Sequence, residues 1–187
     1  MPLFLASAIN SIVASSAKGV RCFGVTPSFN SMASAALGTE EGFCAVIKFL
    51  STATKGNMFD VADNTKIQSI IAQIYENNGI VGVGGHGSAS IVNVPLSSGE
   101  YMVKGKRVAG FPNSTETTKP WANYGKLLPF LIESQLVKNG AIAENKQTLS
   151  DKHAVVVDQR IVSTMFLPSA ALVAKEMLNL HEKQKTK

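Results

Sequence analysis

The spacing of apolar positions along this chain changes several times, and each change predicts an element. Leu3–Ala17 sets Phe4, Leu5, Ala8, Ile9, Ile12 and Val13 close to one helical stripe, with Gly19 as its C-cap. Val20–Val25 reads as a buried strand ended by Thr26-Pro27, and Ser28–Gly42 as a small, polar loop with room for one turn of helix. Phe43–Leu50 reads as a second strand and Ser51–Gly56 as a polar loop. Asp63-Asn64 opens a helix through Gln73 to Asn77 whose apolar face is Ile67, Ile70, Ile71 and Ile74. Further on, Tyr101–Phe111 carries a Lys104-Gly105-Lys106 turn between apolar pairs, which predicts a hairpin or a strand entered from a tight turn. Phe111–Lys119 is a loop containing Asn113 and Glu116. Tyr124–Asn139 is an amphipathic helix (Leu127, Leu128, Phe130, Leu131, Leu136) capped by Gly140. His153–Thr164 predicts a hairpin turning at Asp158-Gln159, and Pro168 starts a last helix to about Leu180. Strands alternating with helices imply an α/β fold with right-handed crossovers and a mostly parallel sheet covered on both faces.

The stretch Gly79–Val94 stands apart from this pattern. It predicts a short buried strand from Ile80 to Val83, a Gly-Gly turn and a helix beginning near Ser88. Gly84, Gly85 and Gly87 crowd the turn, where a sharp strand-to-helix reversal demands backbone angles closed to residues with a Cβ. His86 falls at the tip, beside the amides that open the helix, which favour an anion or an oxyanion. This is the mechanical form of a nucleophile elbow, and its apex carries no nucleophile.

Composition narrows the class. The 187 residues suit one domain, 1–187, with a sizeable core, and 45% hydrophobic with 17% charged residues is ordinary for a globular protein. The formal charge of +5 is local, carried by the tail His181–Lys187 and by Lys104, Lys106 and Arg107, so solvated lysines explain it better than a nucleic-acid surface. Cys22 and Cys44 each lie in an apolar run, which fits buried free thiols and a cytoplasmic location. No window offers the ~18 apolar residues of a membrane span, and the apolar N-terminus lacks the basic n-region of a signal peptide. His86, His153 and His181 have no ligand spacing, so no metal site is expected. The glycines match neither a phosphate loop nor a dinucleotide fingerprint.

From Asp60 to Leu180 the chain resembles the ThiJ/PfpI superfamily, the class I glutamine-amidotransferase-like fold, and within it the branch of heat-shock chaperones and glyoxalase III. The phrases that carry the resemblance are Ile80–Ala89 (IVGVGGHGSA), Met102–Asn113 (MVKGKRVAGFPN), Leu128–Gly140 (LPFLIESQLVKNG), Val155–Ile161 (VVVDQRI) and Pro168–Ala170 (PSA). The resemblance implies a flavodoxin-like three-layer sandwich, a homodimer, and no metal or organic cofactor. It also implies a cysteine before the elbow histidine, where this chain has Gly85, and an acidic residue after the Gly-Phe strand, where it has Glu116. The family's helix-one glutamate falls on about Ser7, its oxyanion loop on Ala53, Thr54, Lys55 and Gly56, and its Gly-Gln-Asn on Met165, Phe166 and Leu167. The family's first strand has no counterpart before Met1, so the domain reads as N-terminally truncated. A sheet without that strand is expected to self-associate or to be poorly soluble.

Attack on a carbonyl requires a thiolate, hydroxyl, amine or carboxylate at the apex, and Gly85 supplies only a backbone N–H. Ser88 and Ser90 are displaced along the helix, and Cys44 sits mid-strand. His86 and Glu116 remain as a base and its orienter, or as remnants that hold the elbow by a hydrogen bond. Two functional expectations follow. In the first the protein is inactive and works by binding, as a chaperone-like or stress-related regulatory module. Its partners would be a small carbonyl or carboxylate held at Gly84, Gly87 and Ser88, unfolded-protein clients, and a second copy of the chain, with no nucleic acid and no membrane. In the second it is a glyoxalase III or deglycase-type enzyme, or a lyase or hydratase using His86 and Glu116 without a thiol. Glu116 beside the imidazole is expected to raise the pKa of His86.

Overall fold

A computed structural model describes residues 55–118, 125–144, 155–166 and 169–186 in full, and nearer the N-terminus the backbone of four strands. Those strands are β1 (Ser15–Ala17), β2 (Val20–Val25), β3 (Ser34–Thr39) and β4 (Lys48–Ala53). With β5 (Ile80–Gly85) and the later hairpin β8 (Val156–Asp158) and β9 (Ile161–Thr164), they form one sheet in the order β1-β2-β3-β4-β5-β9-β8. The α/β class is borne out. The parallel part is confined to β4-β5-β9, while β1-β2-β3-β4 and β8-β9 pair antiparallel. Chain length decides this: the connections from β1 to β4 are too short for the crossover of about 10–12 residues that a parallel pair needs.

Three expectations near the N-terminus change. Ser15–Ala17 is a strand pairing with β2 and not the end of a helix, and the preceding residues lie outside the described ones. Ser34–Thr39, expected as loop, is a strand held on both sides by β2 and β4. The second expected strand ends three residues later than Leu50, at Ala53, and its start at 43–47 lies outside the described residues. Ser51, Thr52 and Ala53 join the sheet because β5 offers partners in register, from Lys48↔Ile80 to Ala53↔Gly85. Pairing with a neighbouring strand outweighs the weak strand preference of Ser51 and Ala53.

Between β4 and β5 lie α1 (Asn57–Asp60) and α2 (Thr65–Glu76). The Asn64 side chain accepts from the amides of Lys66 and Ile67 at 3.1 and 3.2 Å, so α2 starts where expected. It ends in a Schellman motif: Asn78 takes φ 62, Gly79 N–H donates to Ile74 O at 2.7 Å and Asn78 N–H to Tyr75 O at 3.2 Å. The motif turns the chain directly into Ile80. The buried face of α2 is Ile71, Ala72, Ile74 and Tyr75, whereas Ile70, expected inside, is half exposed.

After β5 come a single 3-10 turn, His86–Ser88, and α3 (Ala89–Val92). The Tyr101–Phe111 segment holds one isolated bridge, Pro95↔Tyr101, and then β6 (Arg107–Val108), which pairs parallel with β7 (Ile142–Ala143). Between them α4 (Asn113–Glu116) stands where a loop was expected, and α5 (Ile132–Lys138) is shorter than the expected helix from Tyr124. Pro129 explains the late start, since it lacks an N–H and pushes Leu128 out of the helical region. Gly140, at φ 85, closes α5 as expected, in a second Schellman motif with Ala141 N–H on Leu136 O at 2.9 Å. The β8–β9 hairpin turns at Gln159-Arg160, one residue later than expected, because Asp158 pairs with Ile161. The last helix, α6 (Ala170–Lys185), runs on past Leu180.

Alternation along β5 covers the sheet on both sides. Val81 and Val83, with Ile161, pack against Ile71, Ile74, Ile91, Val92 and Leu136. Ile80 and Val162 face the other way, against Val173 and Met177 of α6. The three layers thus meet at β5, whose carboxyl end carries the site.

Candidate functional site

Gly85 ends β5 at φ 58 and ψ −131, a backbone conformation that residues with a side chain rarely adopt. The chain reverses there and delivers His86 into the interior. The expected helix beyond is one turn long, so the amides near His86 carry little of the summed dipole of a full helix. Gly84 lies in the sheet opposite Thr52 and Thr164. Gly87 O accepts from the Ser90 hydroxyl at 2.8 Å.

His86 is buried and its Nε2 lies 2.6 Å from Glu116 Oε2. Its ring stacks on Phe111, centroids 4.0 Å apart and planes 25° from parallel, and Phe111 meets Phe166 edge-on at 5.9 Å. Glu116, 3% exposed, is the last residue of α4. That helix is tied to α5, since Asn113 N–H donates to the Glu133 carboxylate at 2.7 Å and Asn113 Nδ2 to Ser134 Oγ at 2.8 Å. The other Glu116 oxygen, Oε1, forms an ion pair with Lys55 Nζ. Lys55, Glu116 and His86 therefore form a continuous polar chain.

Burial holds the His86 imidazole below its ordinary pKa, and the Lys55 ammonium adds to this; the hydrogen bond and charge of Glu116 oppose it without prevailing. The expected upward shift is thus reversed. Taking the ring out of water penalises the cation more than one carboxylate, itself shared with Lys55, favours it.

Ser88 is fully buried and its hydroxyl donates to Ala109 O at 3.4 Å, away from any role at the apex. On the other side Ala109 N–H donates to Ser163 Oγ at 2.9 Å. These two serines fix the strand end from which Phe111 reaches His86. Gly110, between Ala109 and Phe111, is required by packing: a Cβ there would stand 2.7 Å from Leu136 Cδ1 and 2.8 Å from Ile132 Cγ2.

Sequence reasoning found His86 and Glu116, which the structure brings together, and placed Lys55 on the segment matching the family's oxyanion loop, but missed its ion pair with Glu116. The signal for Lys55 is the register Ala53↔Gly85, which sets the residues after β4 beside the elbow. Thr54, Leu167, Cys44 and His153 lie outside the described residues. Among the described residues no group of three or more His, Cys, Asp or Glu could hold a metal ion, and no helix is long and apolar enough to cross a membrane.

A buried His–Glu pair at the carboxyl end of the central parallel strand of a three-layer α/β sheet defines the class of protein by fold and site. No protein-family model and no curated protein matches the chain. Solved structures do. Glyoxalase III of Candida albicans matches with a TM-score of 0.64 and 27% identity, covering 71% of this chain and 56% of that one. The 24 kDa rapid encystment protein of Francisella tularensis matches with a TM-score of 0.59 and 29% identity, covering 68% of this chain and 56% of that one. Both are members of the ThiJ/PfpI family, and the resemblance read from the sequence is borne out. The chain spans a little over half the length of the solved proteins it matches.

Proposed function

We propose that this chain is a catalytically inactive ThiJ/PfpI-family protein that works by binding, as a chaperone-like or stress-related regulatory module in the cytoplasm. One observation carries the reading: the elbow residue is Gly85, in the special backbone conformation of an elbow, with no side chain to attack a carbonyl. Both oxygens of Glu116 are also engaged, one by Lys55 and the other by His86. The ligand in this reading is a small carbonyl or carboxylate at the carboxyl end of β5, and the working form is a homodimer that takes unfolded-protein clients.

Methylglyoxal turnover followed as lactate tests the inactivity. No lactate above the uncatalysed rate is expected, and steady lactate production overturns the reading. A lyase or hydratase is the second reading, favoured by the 2.6 Å His86–Glu116 contact and by an imidazole kept neutral and thus able to accept a proton. Turnover abolished by His86→Ala would establish it.

A further inference from the structure

Gly85 removes the side chain at the apex, but an amine stands beside it. Ala53 pairs with Gly85 across the parallel strands β4 and β5, and Lys55 follows two residues later. Lys55 and His86 both lie just past the carboxyl ends of adjacent parallel strands, where open α/β sheets bind their ligands. The Lys55 side chain is 29% exposed, whereas the side chain of Glu116, its partner, is 4% exposed. The Lys55 stem reaches the surface while the amine itself is buried against the carboxylate, and Glu116 is in turn held by His86 at 2.6 Å. Phe111, stacked on His86, and Phe166 add apolar surface next to the pair.

We propose that Lys55 captures a small aldehyde or α-oxo acid as an imine, with Glu116 carrying the protons. The inference rests on the reading that this site binds a small carbonyl, and adds the atom that bonds to it. Glu116 takes a proton from the Lys55 ammonium, and the freed nitrogen lone pair forms a C–N bond to the carbonyl carbon. The proton on Glu116 passes to the carbonyl oxygen while the nitrogen returns one to Glu116, which gives a neutral carbinolamine. Glu116 then protonates the hydroxyl, the C–O bond breaks and water leaves. A protonated imine remains, paired with the Glu116 carboxylate. One carbonyl is consumed and one water released, with no oxidation or reduction. Lysine amines are established covalent partners for carbonyls, with which they form Schiff bases. His86 acts as a positioning residue, holding Glu116 toward Lys55.

The test incubates the full chain with millimolar pyruvate and cyanoborohydride, then locates reduced adducts by intact mass and peptide mapping. One carboxyethyl group per chain on Lys55 is expected, lost in Lys55→Arg and in Lys55→Met. It should be retained in Lys104→Arg, whose lysine pairs with Glu100 at the surface. Glu116→Gln should slow the labelling of Lys55 while leaving it folded by thermal melting. Adducts scattered over surface lysines, or labelling unchanged in Lys55→Arg, overturn the proposal. In parallel, pyruvate is titrated without hydride while His86 is followed by NMR. A shift of His86 with no trapping at Lys55 refutes the imine and leaves the binding reading standing; no shift and no trapping refute both.

Discussion

His86 and Glu116 stand thirty residues apart in sequence and meet through a 2.6 Å contact between Nε2 and Oε2, both side chains buried. With Lys55 on the far oxygen of Glu116, the contact makes the protonation of one ring depend on two other residues.

The pH dependence follows from that dependence. His86 is held below the ordinary imidazole value of about 6.5, so the folded state binds fewer protons there than the unfolded chain. The stability linked to His86 is fully present above about pH 6.5 and is lost as pH falls through the lowered value. NMR titration of the imidazole checks the direction. Glu116→Gln should lower the value further and Lys55→Met should raise it, because the first removes a favourable charge and the second an unfavourable one.

Restoring the missing thiol should restore little. Gly85→Cys supplies a nucleophile, yet Glu116 stays shared with Lys55 and the segment after β4 presents that lysine beside the elbow. Lactate formation from methylglyoxal should remain at the level of the unmodified chain; a large gain would show that the thiol alone was lacking.

Gly110→Ala should destabilise the fold by about 1–3 kcal/mol, the usual cost of forcing a methyl into packed side chains. The added Cβ would lie 2.7 Å from Leu136 and 2.8 Å from Ile132, both on α5. Urea denaturation measures the loss, and the Phe111 ring-current shift on His86 should change with it.

Ser163→Ala should cost about 1–3 kcal/mol, because a buried amide is left without an acceptor. That amide is Ala109 N–H, 2.9 Å from Ser163 Oγ. Urea denaturation and amide exchange at Ala109 check it: faster exchange there is expected, and no change would show that another acceptor takes over.

Asn64→Ala should lower stability by about 1 kcal/mol through loss of the α2 cap. The side chain accepts from Lys66 and Ile67 amides, so the first turn of α2 should lose amide protection while β5 keeps it.

The elements legible in the sequence are those whose signals are local. Asn64 and the Asn77-Asn78-Gly79 run bracket α2 because a side-chain cap and a left-handed residue act within a few positions. The β8–β9 hairpin was legible from its apolar runs, apart from one residue at the turn. Gly85, His86 and Glu116 were legible as a site because their types and spacing resemble a known family's. Other features exist only through long-range pairing. Ser34–Thr39 has little strand character of its own and becomes β3 because strands lie on both sides of it. Ile70 continues the apolar stripe of α2, yet the sheet covers the face at Ile71 and Ile74 and leaves Ile70 outside. The downward shift of His86 depends on how deeply the ring is buried, which no neighbouring residue in sequence sets. Lys55 joins the site because the β4–β5 register carries it to the elbow, and register is a property of two strands brought together by folding.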